Sequence, residues 1–304
     1  MIILFCVYFA LRVLGDVIKK KVTNSFSTNG ISGSLFFVLE TSIFAMFVFF
    51  VLNGFKLYIN PLVTFYGFLY GVLVIFSTVC GVFVYNYATI AFVGFVSSCF
   101  TLIASQIVGA ALFGESVTIP NLVRVAFMLF AAFVSFIGAG GFKRADAQNA
   151  KRFTYALLLT LTLSTVSTLG TIVMKHYTAD PGVTDSNSFF FMTNVFSALL
   201  VIPLIPITAK RDGIKLSSLI EFVKGRRVFY TMLTTANSNI FSAVTILLLS
   251  MIDVSVFTPL SNTLGFISIA VATPLIREKL DKYTIIATAL AVASVVIPEL
   301  IALV

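Results

Sequence analysis

Residues 93–115 read VGFVSSCFTLIASQIVGAALFGE, and residues 256–278, which lie 163 positions later, read VFTPLSNTLGFISIAVATPLIRE. Both stretches are apolar and end in an acidic residue, Glu115 in the first and Glu278 in the second. They also share a valine at the first position and a serine at the sixth. A long apolar motif that returns with the same ending indicates an internal repeat, which is common in membrane transporters.

A second pair of stretches supports this repeat. Residues 14–20 read LGDVIKK and match residues 169–175, LGTIVMK, at an offset of 155. The two matches divide the chain into a first half, residues 1–142, and a second half, residues 153–304. We expect the two halves to be copies of one unit that form a single membrane domain together.

The composition predicts that the chain lies in a membrane. Hydrophobic residues make up 59% of the sequence and charged residues only 11%, against roughly 25% charged in an ordinary soluble domain. Several low-charge runs reach about 20 residues, the length that crosses about 30 Å of hydrocarbon. Lipid offers the backbone no hydrogen-bond partners, so the segments must be helical. The predicted fold class is an all-α integral membrane protein.

Ten such segments are predicted, five in each half. They are residues 2–18, 31–53, 61–84, 88–113, 119–141, 153–174, 188–209, 229–250, 254–275 and 283–303. A unit with an odd number of spans must enter the membrane in the opposite direction when it is repeated. The prediction is therefore ten transmembrane helices in two inverted five-helix repeats, the plan of secondary transporters with a site at the midplane.

The net charge of +8 is explained by the orientation of the chain in the membrane. We therefore expect no nucleic-acid partner. Sixteen of the twenty Lys and Arg residues fall in alternate connections between the predicted spans. Basic connections face the cytoplasm. With ten spans, this rule places both termini outside.

The whole chain resembles the drug/metabolite transporter superfamily, and its EamA-type members in particular. Residues 85–135, including the Gly-Glu pair at 114–115, look like that family's stretch from the third to the fifth span, and residues 247–297 repeat it with Pro259 in the ninth span. The resemblance implies a bacterial plasma-membrane exporter in which spans one to four and six to nine line a cavity. Two features differ: Arg277 replaces the usual glycine, and family members usually have cytoplasmic termini.

Glu40 is the only acidic residue near the middle of a predicted span. It lies roughly 15 Å from either end of that span. A carboxyl group at this depth is costly and marks a functional site by default. The hypothesis is that Glu40 couples transport to protons or holds a cationic group of the substrate. The alternative is a protonated side chain that hydrogen-bonds to a neighbouring helix.

Neutral polar residues on the predicted lining spans complete the candidate substrate site. The set comprises Tyr66, Tyr70, Tyr85, Gln106, Asn194, Asn237, Asn239, Thr258 and Asn262. Such side chains can hold a polar solute through oriented hydrogen bonds. The alternative for each of them is an ordinary helix–helix hydrogen bond. Pro259 is expected to break the ninth span and to free a carbonyl toward the cavity.

Five charged residues near span ends are given structural or secondary roles. Glu115 is expected to pair with Arg124 and fix the hairpin between the fourth and fifth spans, and Glu278 is the structural counterpart of Glu115 in the second half. Lys175 and Lys20 occupy matched ends of two spans and could bind a phosphate group. On the third span, Gly67 and Gly71 form a small-residue face for close helix packing.

The predicted function is secondary-active export of a small neutral or cationic organic metabolite or drug-like solute. A nucleotide-sugar or phosphate-ester exchanger is the alternative within the superfamily, and a channel or membrane scaffold is the alternative outside it. No Walker motif, paired catalytic group or metal-ligand spacing occurs in the sequence. We therefore expect no enzyme activity, cofactor or metal. The expected partners are the solute, lipid and protons, and a homodimer is left open.

Overall fold

The computed structural model describes residues 2–26, 30–87, 90–116, 118–138, 147–180, 182, 185–215, 226–275 and 282–302. The regular elements in these ranges are all helices, which confirms the all-α prediction. The helices are α1 (Ile2–Phe26), α2 (Gly30–Leu52), α3 (Pro61–Tyr87), α4 (Ile90–Phe113), α5 (Ile119–Gly138), α6 (Ala147–Ala179), α7 (Ser186–Val201), α8 (Leu204–Asp212), α9 (Arg226–Met251), α10 (Val254–Leu275) and α11 (Lys282–Ala302).

Each of the ten predicted segments coincides with a helix, except that the seventh is divided between α7 and α8. Six helices of the described ranges are long and apolar enough to cross a membrane, namely α2, α3, α4, α6, α9 and α10. The bent pair α7 and α8 passes the same test when taken as one span, and shorter apolar stretches lie in α1, α5 and α11. The structure is consistent with a multi-pass membrane protein, and the count of ten crossings stays a prediction.

The expectation of one continuous helix over residues 188–209 is wrong. α7 ends at Val201, α8 begins at Leu204, and the two helices meet at 47°. Pro203 lies at this break. Proline has no N–H to donate and its ring clashes with the carbonyl four residues earlier, so a helix bends or stops there.

Large apolar side chains cover the outside of the bundle. Ile3, Phe47 and Ile119 are exposed over 79%, 67% and 70% of their surface. A soluble monomer rarely leaves extensive apolar faces uncovered, whereas hydrocarbon chains of lipid can contact them. The surface of the bundle therefore agrees with its apolar composition.

Hydrogen bonds between loops identify one end of the bundle, which we call end A. Asn53, just after α2, donates from Nδ2 to the carboxylate of Asp185, which precedes α7. Asn60, just before α3, donates from Nδ2 to the carbonyl of Gly182 at 3.3 Å. The α2–α3 loop and the α6–α7 loop therefore meet at end A.

Two further contacts place more helix ends at end A. A third contact defines the opposite end of the bundle, which we call end B. Glu115, which follows α4, contacts the first residues of α10. Lys175 near the end of α6 reaches the carbonyl of Ile252, between α9 and α10. At end B, the backbone N–H of Ser32 in α2 donates to Asp212 Oδ2 in α8 at 2.9 Å. Thus α2, α4, α6 and α9 all end at end A.

The contacts between helices agree with the predicted equivalence of the two halves, in which α6 is the counterpart of α1. α1 packs on α9 and α10, and its counterpart α6 packs on α3 and α4. Likewise α2 packs on α9, and α7 packs on α3. The pairs α2–α7, α4–α10 and α5–α11 each join helices that are equivalent in the predicted repeat.

The small-residue face predicted on α3 packs against α7, as expected. A Cβ atom on Gly67 would lie 2.8 Å from Met192 Cβ, and one on Gly71 would lie 2.8 Å from the carbonyl oxygen of Thr193. Ser197 also donates its hydroxyl to the Gly71 carbonyl at 3.2 Å. Such distances leave no room for a side chain, so both glycines are needed for this close helix contact.

Candidate functional site

Glu40 is a buried carboxyl group near the middle of α2. Only 8% of its surface is exposed, and its Oε2 has no hydrogen-bond partner within the described structure. The neighbouring polar group is the hydroxyl of Thr231 on α9. Thr231 Oγ1 is also buried, and it makes no hydrogen bond of good geometry with the described residues. A carboxyl group sealed inside a membrane bundle is costly unless something compensates it, so the Glu40–Thr231 pair is the centre of the candidate site.

Glu115 binds a helix end where the sequence analysis expected an ion pair with Arg124. Its Oε1 and Oε2 accept hydrogen bonds from the backbone N–H groups of Val254 and Ser255, each at 2.9 Å. The first N–H groups of a helix have no acceptor within the helix and carry partial positive charge. A carboxylate is therefore well placed there. Arg124 donates from Nη1 to Asn121 Oδ1 at 2.9 Å.

Other acidic residues also occupy helix ends. Asp185 accepts from the backbone N–H groups of Asn187 and Ser188 at the start of α7. Asp212 caps α2 from a distant part of the sequence. Glu278, the predicted counterpart of Glu115, lies outside the described residues. Glu40 differs from these three capping residues because it is in the interior of a helix, where no free backbone N–H group needs an acceptor.

α9 carries two further buried polar side chains from the predicted set. Asn237 is 8% exposed and its Oδ1 has no partner in the described part of the chain. Asn239 is half-buried, and its Nδ2 is likewise buried without a partner. Asn237 packs against α1, where a Cβ on Gly15 would lie 2.9 Å from its Nδ2. α9 therefore presents polar groups both toward α2 and toward α1.

Gln106 hydrogen-bonds to the backbone carbonyl that Pro259 leaves without a donor in its own helix. Proline cannot donate to the carbonyl four residues earlier, which belongs to Ser255. Gln106 on α4 donates from Nε2 to this oxygen at 2.9 Å. The freed carbonyl therefore links α4 to α10, and α10 runs through Pro259 without the predicted break. Gln106 Oε1 stays buried with no partner among the described residues.

The two predicted tyrosines of α3 lie in an aromatic cluster. Tyr70 is 5.5 Å from the ring centre of Phe189, and Tyr66 is 5.8 Å from that of Tyr177. Both pack on the edge of the largest group of buried apolar residues. They contribute to helix packing. No hydrogen bond in the described structure links either tyrosine to Glu40.

The other predicted residues have ordinary partners or incomplete descriptions. Asn194 donates to the Phe190 carbonyl one turn earlier in its own helix at 2.7 Å. Asn262 on α10 contacts Thr101 Oγ1 on α4 at 3.4 Å. Thr258 is half-buried on α10. The side chain of Tyr85 lies outside the described residues.

A cluster around Arg12 was not among the predicted site residues. Arg12 on α1 donates from Nη1 to the backbone carbonyl and to Oγ of Ser261 on α10, both at 3.2 Å, and to the Tyr8 hydroxyl at 3.4 Å. Tyr8 is 2% exposed, and its hydroxyl is 2.6 Å from Ser261 Oγ. The spacing of Tyr8 and Arg12, four residues apart on one helix face, was the signal that could have found it.

Lys175, one of the two possible phosphate ligands, caps a helix. Its Nζ donates to the carbonyls of Leu249 at 2.8 Å and Ile252 at 3.0 Å, at the end of α9. A cation is favourable at a helix C-terminus because the last carbonyls carry partial negative charge. The side chain of Lys20 lies outside the described residues.

A cavity of about 260 Å³ lies between α1, α10 and α11, away from Glu40. It is lined by apolar side chains together with Thr263, whose hydroxyl donates to the Pro259 carbonyl at 3.0 Å. None of the predicted binding residues lines it. We therefore place the candidate site at the buried polar groups rather than at this cavity. In the described ranges, no group of three or more His, Cys, Asp or Glu side chains could hold a metal ion.

Comparison with known proteins identifies the fold but no family. No protein-family model matches the chain, and no curated protein matches it. Twenty-eight chains of solved structures do match. One of them, described only as the crystal structure of a protein, has a TM-score of 0.69 over 97% of this chain and 96% of that chain, at 15% sequence identity. This likeness shows that the two proteins share a helical fold along nearly their whole length.

Proposed function

We propose that the protein is a secondary-active transporter for a small polar organic solute. The observation that carries the proposal is a set of buried polar atoms that make no hydrogen bond of good geometry in the described structure: Glu40 Oε2, Gln106 Oε1, Thr231 Oγ1, Asn237 Oδ1 and Asn239 Nδ2. Native proteins leave few such atoms, and each one calls for an explanation. A solute or water that enters during transport would satisfy them.

The arrangement of the helices supports two inverted repeats of five helices. α4 ends at end A, whereas its counterpart α10 begins there. α2 also ends at end A, and its counterpart α7 begins there. The buried polar atoms lie on α2 and α4 of the first half and on α9 of the second. A site shared between oppositely directed halves is the arrangement that alternating access requires.

Glu40 is proposed to exchange a proton with the solute pathway or to hold a cationic group of the solute. Thr231 can donate its hydroxyl to the Glu40 carboxyl, and the amides of Gln106, Asn237 and Asn239 can bind neutral polar groups. By the positive-inside rule, end B, which carries Lys210 and Arg211, faces the cytoplasm. Export from end B to end A is the proposed direction.

A phosphate-ester exchanger is the second candidate, and one observation favours it. Arg12 places a positive charge about 15 Å along α1, and its described hydrogen bonds all go to neutral oxygens. An anionic solute would be attracted to such a group. The channel and scaffold alternatives gain no comparable support, because a scaffold has no need of buried polar atoms without partners.

Counterflow in proteoliposomes tests the transporter. Vesicles that contain the purified chain are loaded with an unlabelled solute, and the entry of the same labelled solute is followed across a panel of metabolites. A carrier gives a transient accumulation of label above the outside concentration for at least one solute class. Protein-free vesicles are the control. Entry that only equilibrates would indicate a channel, and absence of entry for the whole panel would contradict the proposal.

A further inference from the structure

We propose that Arg12 is the subsite that binds an anionic group of the solute, a carboxylate or a phosphate-type oxyanion. This inference rests on the proposed transport function and adds the charge of the solute to it. It starts from Arg12, Tyr8 and Ser261, which join α1 to α10 inside the bundle.

The positive charge of Arg12 has no described counter-ion. All of its described hydrogen bonds use Nη1, and their acceptors are the Tyr8 hydroxyl and the two oxygens of Ser261. No ion pair joins Arg12 to an acidic residue in the part of the chain that the structure describes. A charge within a span is costly and usually pairs with another group. An anionic solute would supply a counter-charge that the described residues do not.

The remaining donors of Arg12 are available to such a solute. Nε and Nη2 donate to no acceptor among the described residues. Nη2 lies over Gly265, where a Cβ would come within 2.6 Å of it. The guanidinium presents its donors as a rigid planar fork that matches two oxygens of a carboxylate or phosphate.

The surroundings of Arg12 position this fork and add a neutral polar group. Tyr8 and Ser261 hydrogen-bond to each other at 2.6 Å and both accept from Nη1, which fixes the side chain. Gly15, about one turn further along α1, contacts Asn237, whose Oδ1 is buried without a partner. The same side of α1 therefore packs on α9 where α9 carries a polar side chain.

Depth in the bundle distinguishes a solute from a lipid headgroup. Arg12 lies about 15 Å from the start of α1, and Glu40 lies about 15 Å from the start of α2. α1 begins at end A and α2 at end B, so the two residues lie near the same level, with α9 between them. A lipid phosphate at the membrane surface does not reach that level. The subsite is thus suited to a solute that carries an anionic group, alone or with a cationic group toward Glu40.

The test measures ligand binding without transport. The purified full chain in detergent is titrated with succinate or with inorganic phosphate, and its thermal unfolding midpoint is compared with that in sodium chloride of equal ionic strength. We expect a saturable rise of the midpoint with at least one of these anions. Succinate alone would indicate a carboxylate solute, and phosphate alone would indicate a phosphate ester. A wild-type protein that responds to neither would overturn the proposal.

Variants locate the binding at Arg12. Arg12→Gln should raise the half-maximal concentration roughly 30-fold or more, and Arg12→Lys should raise it less, because lysine keeps the charge but not the fork. Gly265→Ala should also weaken binding, because its Cβ displaces the charged guanidinium. Gly81→Ala, with no atom within 4 Å of the added Cβ, is the matched control. Equal binding by all four variants and wild type would overturn the proposal.

The two proposals can fail separately. Counterflow without anion binding would leave the transporter standing and remove the role of Arg12. Anion binding that depends on Arg12, in a protein that shows no counterflow for any solute, would remove the transporter and keep the binding site.

Discussion

At the scale of single residues, position along a helix decides what an acidic side chain does. Glu115, Asp185 and Asp212 meet free backbone N–H groups at helix ends, and each accepts hydrogen bonds from them. Glu40 lies in the interior of a helix, where every backbone N–H already donates within the helix. Its carboxyl group therefore caps no helix, and the hydroxyl of Thr231 is a neighbouring polar group.

Glu40→Gln should uncouple transport from protons while preserving exchange. Glutamine keeps the shape and hydrogen-bonding capacity of the side chain but cannot exchange a proton at this position. A gradient of one pH unit can drive about tenfold accumulation through a one-proton exchange. We expect this accumulation to fall to the equilibrium level in the variant, as measured with labelled solute in proteoliposomes with an imposed pH gradient.

Thr231→Val serves as the control for this experiment, since it removes the neighbouring hydroxyl without touching the carboxyl. We expect it to weaken solute affinity and to retain accumulation driven by the pH gradient. Accumulation by Glu40→Gln equal to that of wild type would show that Glu40 does not carry the coupled proton.

The link between Gln106 and Pro259 should appear as an energetic coupling. Gln106→Leu removes the donor to the Ser255 carbonyl, so we expect a loss of about 0.5–1.5 kcal/mol in stability. Pro259→Ala restores a backbone N–H that can reach the same carbonyl. The cost of Gln106→Leu should then be smaller in the Pro259→Ala background. A double-mutant cycle of unfolding free energies measures the difference, and equal costs in both backgrounds would contradict this account.

At the scale of helices, charged side chains from elsewhere in the chain close the hairpin between α9 and α10. Lys175 donates to the carbonyls that end α9, and Glu115 accepts from the N–H groups that begin α10. Each charge has the sign that the helix dipole favours. The hairpin is thus held by α6 on one side and by the α4–α5 turn on the other.

Close packing of α3 on α7 makes Gly71 intolerant of a side chain. A methyl group there would lie 2.8 Å from the Thr193 carbonyl oxygen, so Gly71→Ala should lower the free energy of unfolding by about 1–3 kcal/mol. Gly81→Ala lies on the same helix and meets no atom within 4 Å. Alanine is favoured over glycine within helices by up to about 1 kcal/mol, so this variant should be unchanged or more stable.

Thermal unfolding of the two glycine variants in the same detergent is the measurement. If Gly71→Ala and Gly81→Ala were equally stable, α3 and α7 could move apart at Gly71 with no loss of unfolding free energy. In that case, the close contact would not be a fixed part of the structure.

At the scale of the whole molecule, the two ends of the bundle should face opposite sides of the membrane. Lys56 is exposed near end A, and Lys210 is exposed near end B. Single cysteines at these positions, in a chain whose Cys6, Cys80 and Cys99 are replaced by serine, should react differently with a membrane-impermeant reagent. Cells should label at position 56 when intact and at position 210 only after permeabilisation.

Lys282, at the start of α11, adds a second test of the inverted repeat. A cysteine there should behave like one at position 210, because both belong to basic connections. Labelling of positions 56 and 210 from the same side would contradict the two-ended arrangement and with it the proposed repeats.

The sequence by itself determined the helical class, the extents of most helices and the position of Glu40 deep within its helix. These follow from local properties: apolar runs long enough to cross hydrocarbon, and the depth of one charge within its run. Of the predicted polar residues, Glu40, Gln106, Asn237 and Asn239 are also those with buried atoms that lack a partner in the described structure.

Only the tertiary structure decided which polar groups meet. Glu115 faces α10 rather than Arg124, Gln106 reaches the carbonyl freed by Pro259, and Arg12 meets Ser261. These partners are separated by 139, 149 and 249 positions in the chain. Spacing within a helix fixes which face a residue occupies, but the choice of partner depends on which helices pack together, and that is settled by the whole bundle.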